Sequence, residues 1–303
     1  MRPKQWTKNA FVLAALVFDR QLTHLPALII SLAGFFIFCL ISSAVYIIND
    51  IADIEADRRH PDKRNRPIAS GKLPVKVAWS AAVILVLICL PAAWFLSQPF
   101  FIITTVYFLM MLAYSKWLKH VPIVDVFIIA TGFVLRVAAG VSLIEIERFS
   151  PWLYIVTTLF ALYIGFGKRR AELTMLAANP TLQVTKISPS GLEANQMNHT
   201  RKVLNGYTIP FLDQLITIVS GTTIIAYSLY TFNAPNLPTN HTMMLTIPFL
   251  VFGIFRYLYL IQVKQEGGAP EELLLSDRPL QIIVLLWMIS VLIVFYTQPI
   301  PAL

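Results

Sequence analysis

Asn49, Asp50, Asp53 and Asp57 follow directly on a long apolar run, at a spacing that could gather oxygen ligands on one side of a helix. In helical geometry Asp50, Asp53 and Asp57 stand at i, i+3 and i+7. Three carboxylates then share one stripe over two turns, with Asn49 beside them and Glu55 facing away. Like charges this close repel one another unless a cation sits among them. An all-oxygen set favours a hard ion such as Mg2+, which keeps waters and shares its remaining positions with a substrate's phosphates. The basic run that follows supplies Lys63, Arg64 and Arg66 as direct phosphate partners. A solvated charged loop at a membrane surface would explain the bases but not the spacing of the acids.

A second polar cluster, Tyr163-Ile164-Gly165-Phe166-Gly167-Lys168-Arg169-Arg170-Ala171-Glu172, closes a later apolar run. Lys168 and Glu172 are i, i+4 neighbours, so the cluster reads either as a surface ion pair with flanking bases or as a ligand site. In the second reading Lys168 and Arg169 neutralise phosphate, Glu172 ligates or orients the metal assembly, and the glycines let backbone approach a ligand. Asp125, Arg136 and Asp213 lie inside apolar runs, where charge is costly. Asp125 is close enough to the basic side to join a phosphate chamber. Arg136, about 16 Å further along the same helix, and Asp213 are open between structural and functional roles. Lys8 is open between that chamber and topogenic charge. Trp6 reads as an interfacial anchor, and Ser276-Asp277-Arg278-Pro279 as a capped helix start. No histidine is convincingly paired with an acid, and His60 reads as a structural loop residue.

The elements that must position these groups are membrane helices. Hydrophobic residues are 57% of the 303 and charged ones 13%, which excludes an ordinary soluble domain. Apolar runs of about 17 to 25 residues mark spans; nine candidates fall at 4–19, 25–48, 75–97, 100–118, 122–144, 151–168, 208–231, 243–262 and 279–298. The first is the weakest, because its start is polar. With a cytoplasmic N-terminus, only Arg20, Arg136 and Arg148 of the 24 bases fall outside the inner segments, so the orientation is well specified. Every sizeable polar loop then faces the cytosol, and the net charge of +8 speaks for anionic lipid and phosphorylated ligands rather than nucleic acid. Cys39 and Cys89 lie in apolar runs and read as packing residues. The basic start is read as part of the mature protein rather than a cleaved signal, and 179–199 as a flexible loop.

Further stretches join the acidic motif in a family pattern: Arg2-Pro3-Lys4-Gln5-Trp6-Thr7-Lys8-Asn9, Ser43-Ala44-Val45-Tyr46, His60 through Gly71, Leu118-Lys119-His120, Gly167 through Leu173, and Asp277-Arg278. Together they resemble the UbiA superfamily of intramembrane prenyltransferases, over nearly the whole chain. Within it the chain is most similar to the branch that transfers phosphoribose to polyprenyl phosphates. The resemblance implies an all-α bundle of nine transmembrane helices forming a single domain, 1–303, in the plasma membrane, with a polar chamber open to the cytoplasm. It further implies transfer of 5-phosphoribose from phosphoribosyl diphosphate (PRPP) to a polyprenyl phosphate, releasing pyrophosphate, with Mg2+ held by Asp50, Asp53 and Asp57. Lys168 and Glu172 would assist catalysis. Tyr46, Asn49, Lys119 and Tyr163, with Lys8, Lys63, Arg64, Arg66, Asp125, Arg169 and Arg170, would bind substrates. Typical superfamily members carry a second aspartate-rich motif where this chain has three bases and the single acid Glu172. That departure favours a donor with an additional phosphate.

The expected chemistry is direct displacement at the ribose C1. The attacking lipid phosphate is already ionised, its second pKa being about 6, so no general base is needed. One inversion predicts a β-linked product from an α-configured donor. Competing readings are a prenyltransferase joining an isoprenoid diphosphate to an aromatic acceptor, and a non-catalytic lipid carrier or transporter. Polyprenol length and oligomeric state are open.

Overall fold

The computed structural model describes residues 3–59, 63–146, 150–178, 202–265 and 270–297. His60, Asp62, His199 and the stretch 179–199 lie outside them. The described residues are helical, with no strand among them, and they divide into two compact units, Met1–Glu147 and Arg148–Leu303.

The first unit opens with an unusually long 3-10 helix, Pro3–Leu13, running into the short helix α1, Ala14–Phe18. Three residues per turn put i, i+3 and i+6 in line, and the sequence exploits this. Trp6, Asn9 and Val12 form one inward stripe: Trp6 Nε1 donates to Ser43 Oγ at 3.2 Å, Asn9 is fully buried, and Val12 joins the apolar core. Trp6 is thus tied to a neighbouring helix, where the sequence suggested only an interfacial anchor. Gly140 makes the close approach possible, since a Cβ there would lie 1.9 Å from the Val12 carbonyl oxygen.

Helices α2 (Leu25–Ala52), α3 (Ile54–Arg59), α4 (Val75–Leu96), α5 (Gln98–Lys116) and α6 (Val124–Val141) complete the unit. Lipid is as apolar as leucine, so these helices associate through close packing rather than burial from water. Helix α4 shows the logic: it buries its small residues Ala78, Ala82, Cys89 and Ala93, while Leu87, Ile88 and Phe95 point outward. It packs on α2, and both helices contribute to a core that includes Phe38, Ile41, Val45 and Tyr107.

In the second unit α7 (Trp152–Ala178) packs against α8 (Ile209–Asn233), and α9 (Ile247–Gln262) against α11 (Arg278–Thr297), with α10 (Pro270–Ser276) between the last two in sequence. Thr208 caps α8 through the Phe211 amide, with Pro210 in its first turn. Tyr227 accepts from Trp287 Nε1 at 2.8 Å and bonds Thr246 Oγ1 at 2.6 Å, joining α8, α11 and the 3-10 turn Thr242–Thr246. Asp277 caps α11 as expected, accepting from the Leu280 amide at 2.9 Å.

Seven described helices are long and apolar enough to cross a membrane: α2, α4, α5, α6, α8, α11, and α9 together with its preceding 3-10 turn. The other two expected spans differ. The polar start of the first winds as a 3-10 helix, and the sixth is part of α7, which runs on through the charged motif to Ala178.

Candidate active site

Helix α2 carries Tyr46, Asn49 and Asp50 to its C-terminal end and stops at Ala52. Asp53 is the C-cap, its amide bonded to the Asn49 carbonyl, and α3 resumes at Ile54, so the acidic stripe is interrupted at its middle carboxylate. The expected continuous stripe is corrected accordingly: the trio resolves into a pair and a separate third member. Arg66 Nη1 lies 3.2 Å from Asp50 Oδ1 and 2.5 Å from Asp57 Oδ2, so one cationic atom spans two carboxylates. Asp53 Oδ1 instead accepts from Lys119 Nζ at 2.7 Å. Asp57 is only 4% exposed, and a buried carboxylate requires such a partner. Removing Arg66 would strip this buried carboxylate of the cation it pairs with among the described residues, at a cost of about 3–5 kcal/mol.

The loop that presents Arg66 is built for that purpose. Ile68 is buried against Ile47, Ala78 and Ala82, and Arg58 Nε donates to the Ala69 carbonyl at 3.1 Å. Backbone bonds from Ser70 to Arg66, Gly71 to Ile68 and Leu73 to Pro67 close the turn. Gly71 supplies the positive φ of 78° that the reversal needs. Lys63 and Arg64 lie in the adjoining 3-10 turn, Lys63–Asn65, with Arg64 exposed.

Lys119 belongs to the short 3-10 turn Leu118–His120 between α5 and α6. Asp125, in the first turn of α6, is fully buried. Between them Ile123 holds φ 69° and ψ −51°, with the Val124 amide bonded to the Pro122 carbonyl at 2.8 Å. This is a γ-turn of the rarer, strained hand, and a β-branched residue is a poor fit to it. Lys8 sits in the N-terminal 3-10 helix beside Asn9. Asn9 donates to Ser42 Oγ at 2.9 Å and to Cys39 Sγ at 3.3 Å, and accepts from Arg136 Nε at 2.8 Å. Arg136 also donates to the Gly132 carbonyl and Tyr107 hydroxyl, with the rings of Phe38, Tyr107 and Phe133 about it. These contacts tie α6 to the N-terminal 3-10 helix and to α5.

In the second unit the motif on α7 is largely directed inward. Arg169, 1% exposed, donates to Glu172 Oε2 at 2.6 Å. Arg170 donates to Asp213 Oδ1 and to the Ile261 carbonyl, both at 2.6 Å. Gln262 joins the same Asp213 oxygen at 3.1 Å. Tyr163 donates its hydroxyl to the Ile254 carbonyl at 2.6 Å. Arg170 and Tyr163, both expected at a substrate, tie α7 to α8 and α9. Asp213 is the counter-ion of Arg170, and Gly167 exists because Tyr257 fills the space where a Cβ would stand, 2.6 Å from its hydroxyl. The sequence reading missed the Asn9–Arg136 link and the strained Ile123. It also assigned Arg66 only to phosphate, where the structure pairs it with Asp50 and Asp57.

The acid pair fits a divalent ion: two carboxylate oxygens already converge on one positive atom, and both are hard donors. Among the described residues no group of three acidic, histidine or cysteine side chains is arranged about a metal position. Asp50 and Asp57 share Arg66, and Asp53 pairs with Lys119.

Comparison with known proteins agrees with the fold. A solved UbiA homolog from Archaeoglobus fulgidus, bound to GPP and Mg2+, superposes with a TM-score of 0.68 at 18% identity, covering 97% of each chain. A protein named decaprenyl-phosphate phosphoribosyltransferase from Corynebacterium glutamicum is 33% identical over 99% of this chain and 86% of its own. One of the same name from Mycobacterium tuberculosis is 32% identical over 96% of this chain and 91% of its own. The model of the UbiA prenyltransferase family matches residues 10–172, and the chain, a multi-pass membrane protein, belongs to that family.

Proposed function

We propose that this protein transfers 5-phosphoribose from PRPP to a polyprenyl phosphate and releases pyrophosphate, working at the cytoplasmic side of the membrane. The observation that carries this reading is near-full-length similarity, at about one-third identity, to relatives named for that reaction. The residues support it. Where superfamily members carry a second aspartate-rich motif, α7 has bases and one acid, and Lys168 of that motif suits a donor with more phosphate than an isoprenoid diphosphate has.

Asp50 and Asp57 are the carboxylates that would hold Mg2+, and the ion when bound supplies neutralisation of charge on the leaving diphosphate. Lys119, beside Asp53, is assigned to the same leaving group as a compact cation. Lys8 and Lys168 are assigned to substrate phosphates. Arg169 pairs with Glu172 one turn further along α7. Since the acceptor phosphate is ionised at neutral pH, the protein's task is to orient two anions and offset their repulsion. In-line attack at C1 gives inversion and a β-linked product.

The solved neighbours bound to isoprenoid diphosphates, and a shorter match named digeranylgeranylglyceryl phosphate synthase, favour prenyl transfer as the second reading. Purified protein is incubated with labelled PRPP and polyprenyl phosphate, and separately with labelled isoprenyl diphosphate and a prenyl acceptor. Label from PRPP should enter the lipid fraction, and should fail to do so with Asp50→Ala or after chelation. Incorporation from isoprenyl diphosphate alone rejects the phosphoribosyl reading.

A further inference from the structure

We propose that Arg66 is the resident counter-ion of the acid pair and exchanges with the divalent ion for the oxygens of Asp50 and Asp57. Metal loading then depends on release of Arg66. This rests on the assignment of those two carboxylates to the metal made above.

The argument begins with a shared atom. Arg66 Nη1 meets Asp50 Oδ1 at 3.2 Å and Asp57 Oδ2 at 2.5 Å, so the guanidinium occupies two of the oxygens that would hold the ion. Oxygen ligands approach Mg2+ to about 2.1 Å, and a guanidinium held between the same oxygens both blocks that approach and repels a divalent cation. Arg66 is able to leave. Its side chain is one-quarter exposed, while its backbone is fixed by the Ser70 amide and by the buried Ile68 two residues on. The exchange is thus a side-chain swing about a held Cα. Once released, the guanidinium keeps its charge and its planar fork, which suits diphosphate oxygens. Metal and donor would both favour the released arrangement, and each would strengthen binding of the other.

The test uses the full chain in lipid nanodiscs without any donor, titrated with Mn2+ and followed by electron paramagnetic resonance. Arg66→Gln should bind Mn2+ about tenfold more tightly than the natural protein; equal or weaker binding overturns the exchange. A second measurement keeps the question open to refutation if that variant does not fold. In the unaltered protein, dicarbonyl labelling of Arg66, mapped by mass spectrometry, should speed up when Mg2+ alone is added. Unchanged or slower labelling overturns the proposal. Neither measurement contains PRPP or lipid phosphate, so failure here is distinguishable from failure of the phosphoribosyl reading, which the labelled-donor assay decides.

Discussion

Arg136 and Asn9, 127 residues apart in sequence, meet in a buried hydrogen bond of 2.8 Å from Nε to Oδ1. Through it the N-terminal 3-10 helix is fastened to α6, and through Ser42 and Cys39 the same asparagine fastens it to α2. The arginine donates to neutral oxygens and lies against ring faces. Asn9 is therefore part of what makes a cation tolerable inside an apolar unit.

Asn9→Ala removes an acceptor from that cation and should destabilise the protein by about 1.5–3 kcal/mol, the range for a hydrogen bond to a charged group. Asn9→Asp restores an acceptor and adds charge complementarity, so it should recover most of the loss. Thermal unfolding in detergent checks both. Equal melting of Asn9→Ala and the natural protein would show that the bond contributes nothing.

Gly140 and Gly221 give a matched pair. A Cβ on Gly140 would meet the Val12 carbonyl oxygen at 1.9 Å, and since that atom is backbone, the 3-10 helix itself must shift. A Cβ on Gly221 meets nothing within 4 Å. Gly140→Ala should cost about 1–3 kcal/mol by overpacking and should weaken transfer, because Lys8 moves with the segment. Gly221→Ala should be neutral or slightly stabilising, as alanine is the better helix former. Melting curves and initial rates for the two variants, measured side by side, test this.

Asp277 offers a pH dependence outside the spans. Hydrogen bonds from Arg256 hold its carboxyl below the ordinary carboxylate range, burial opposing and the Leu280 amide assisting. A folded value below the unfolded one means the contribution to stability is complete above the unfolded pKa of about 3.9 and is lost as pH falls through the folded one. Asp277→Asn should cost about 1–2 kcal/mol at neutral pH by weakening a cap and a bidentate pair. The melting difference should be flat from about pH 8 to 5 and shrink below about pH 4. A difference that grew on acidification would contradict the assignment.

What the sequence made legible was local. The Asp277 cap and the apolar runs of α2, α4 and α11 announce themselves within a few residues, because capping and lipid contact are decided by neighbours in the chain. The acids were visible for the same reason. Their partition was not: helical spacing predicts one stripe, but α2 ends at Ala52, and Asp53 is taken by Lys119 from 66 residues away. Likewise Arg170 reads as a phosphate base until Asp213, 43 residues on, claims it. Long-range pairing of charge leaves no periodic trace, and the family pattern, which identifies residues rather than partners, could not supply it.

The strain at Ile123 is the feature least visible in the order of residues. Its φ of 69° is one that glycine adopts freely and a β-branched residue resists, and the residue is 39% exposed, so little packing compensates. Such strain typically costs about 1–3 kcal/mol and survives where the surroundings impose it. Here it joins the turn bearing Lys119 to the first turn of α6 bearing Asp125. Ile123→Gly should relieve the strain, offset in part by the loosening effect of glycine on the unfolded chain, so melting should stay level or rise by a few degrees. Catalysis should move the other way, since a freer turn lets Lys119 drift from Asp53. We expect a lower turnover rate with little change in acceptor affinity. If Ile123→Gly lowers stability and leaves turnover intact, the turn is an ordinary connection and the strain has no bearing on Lys119.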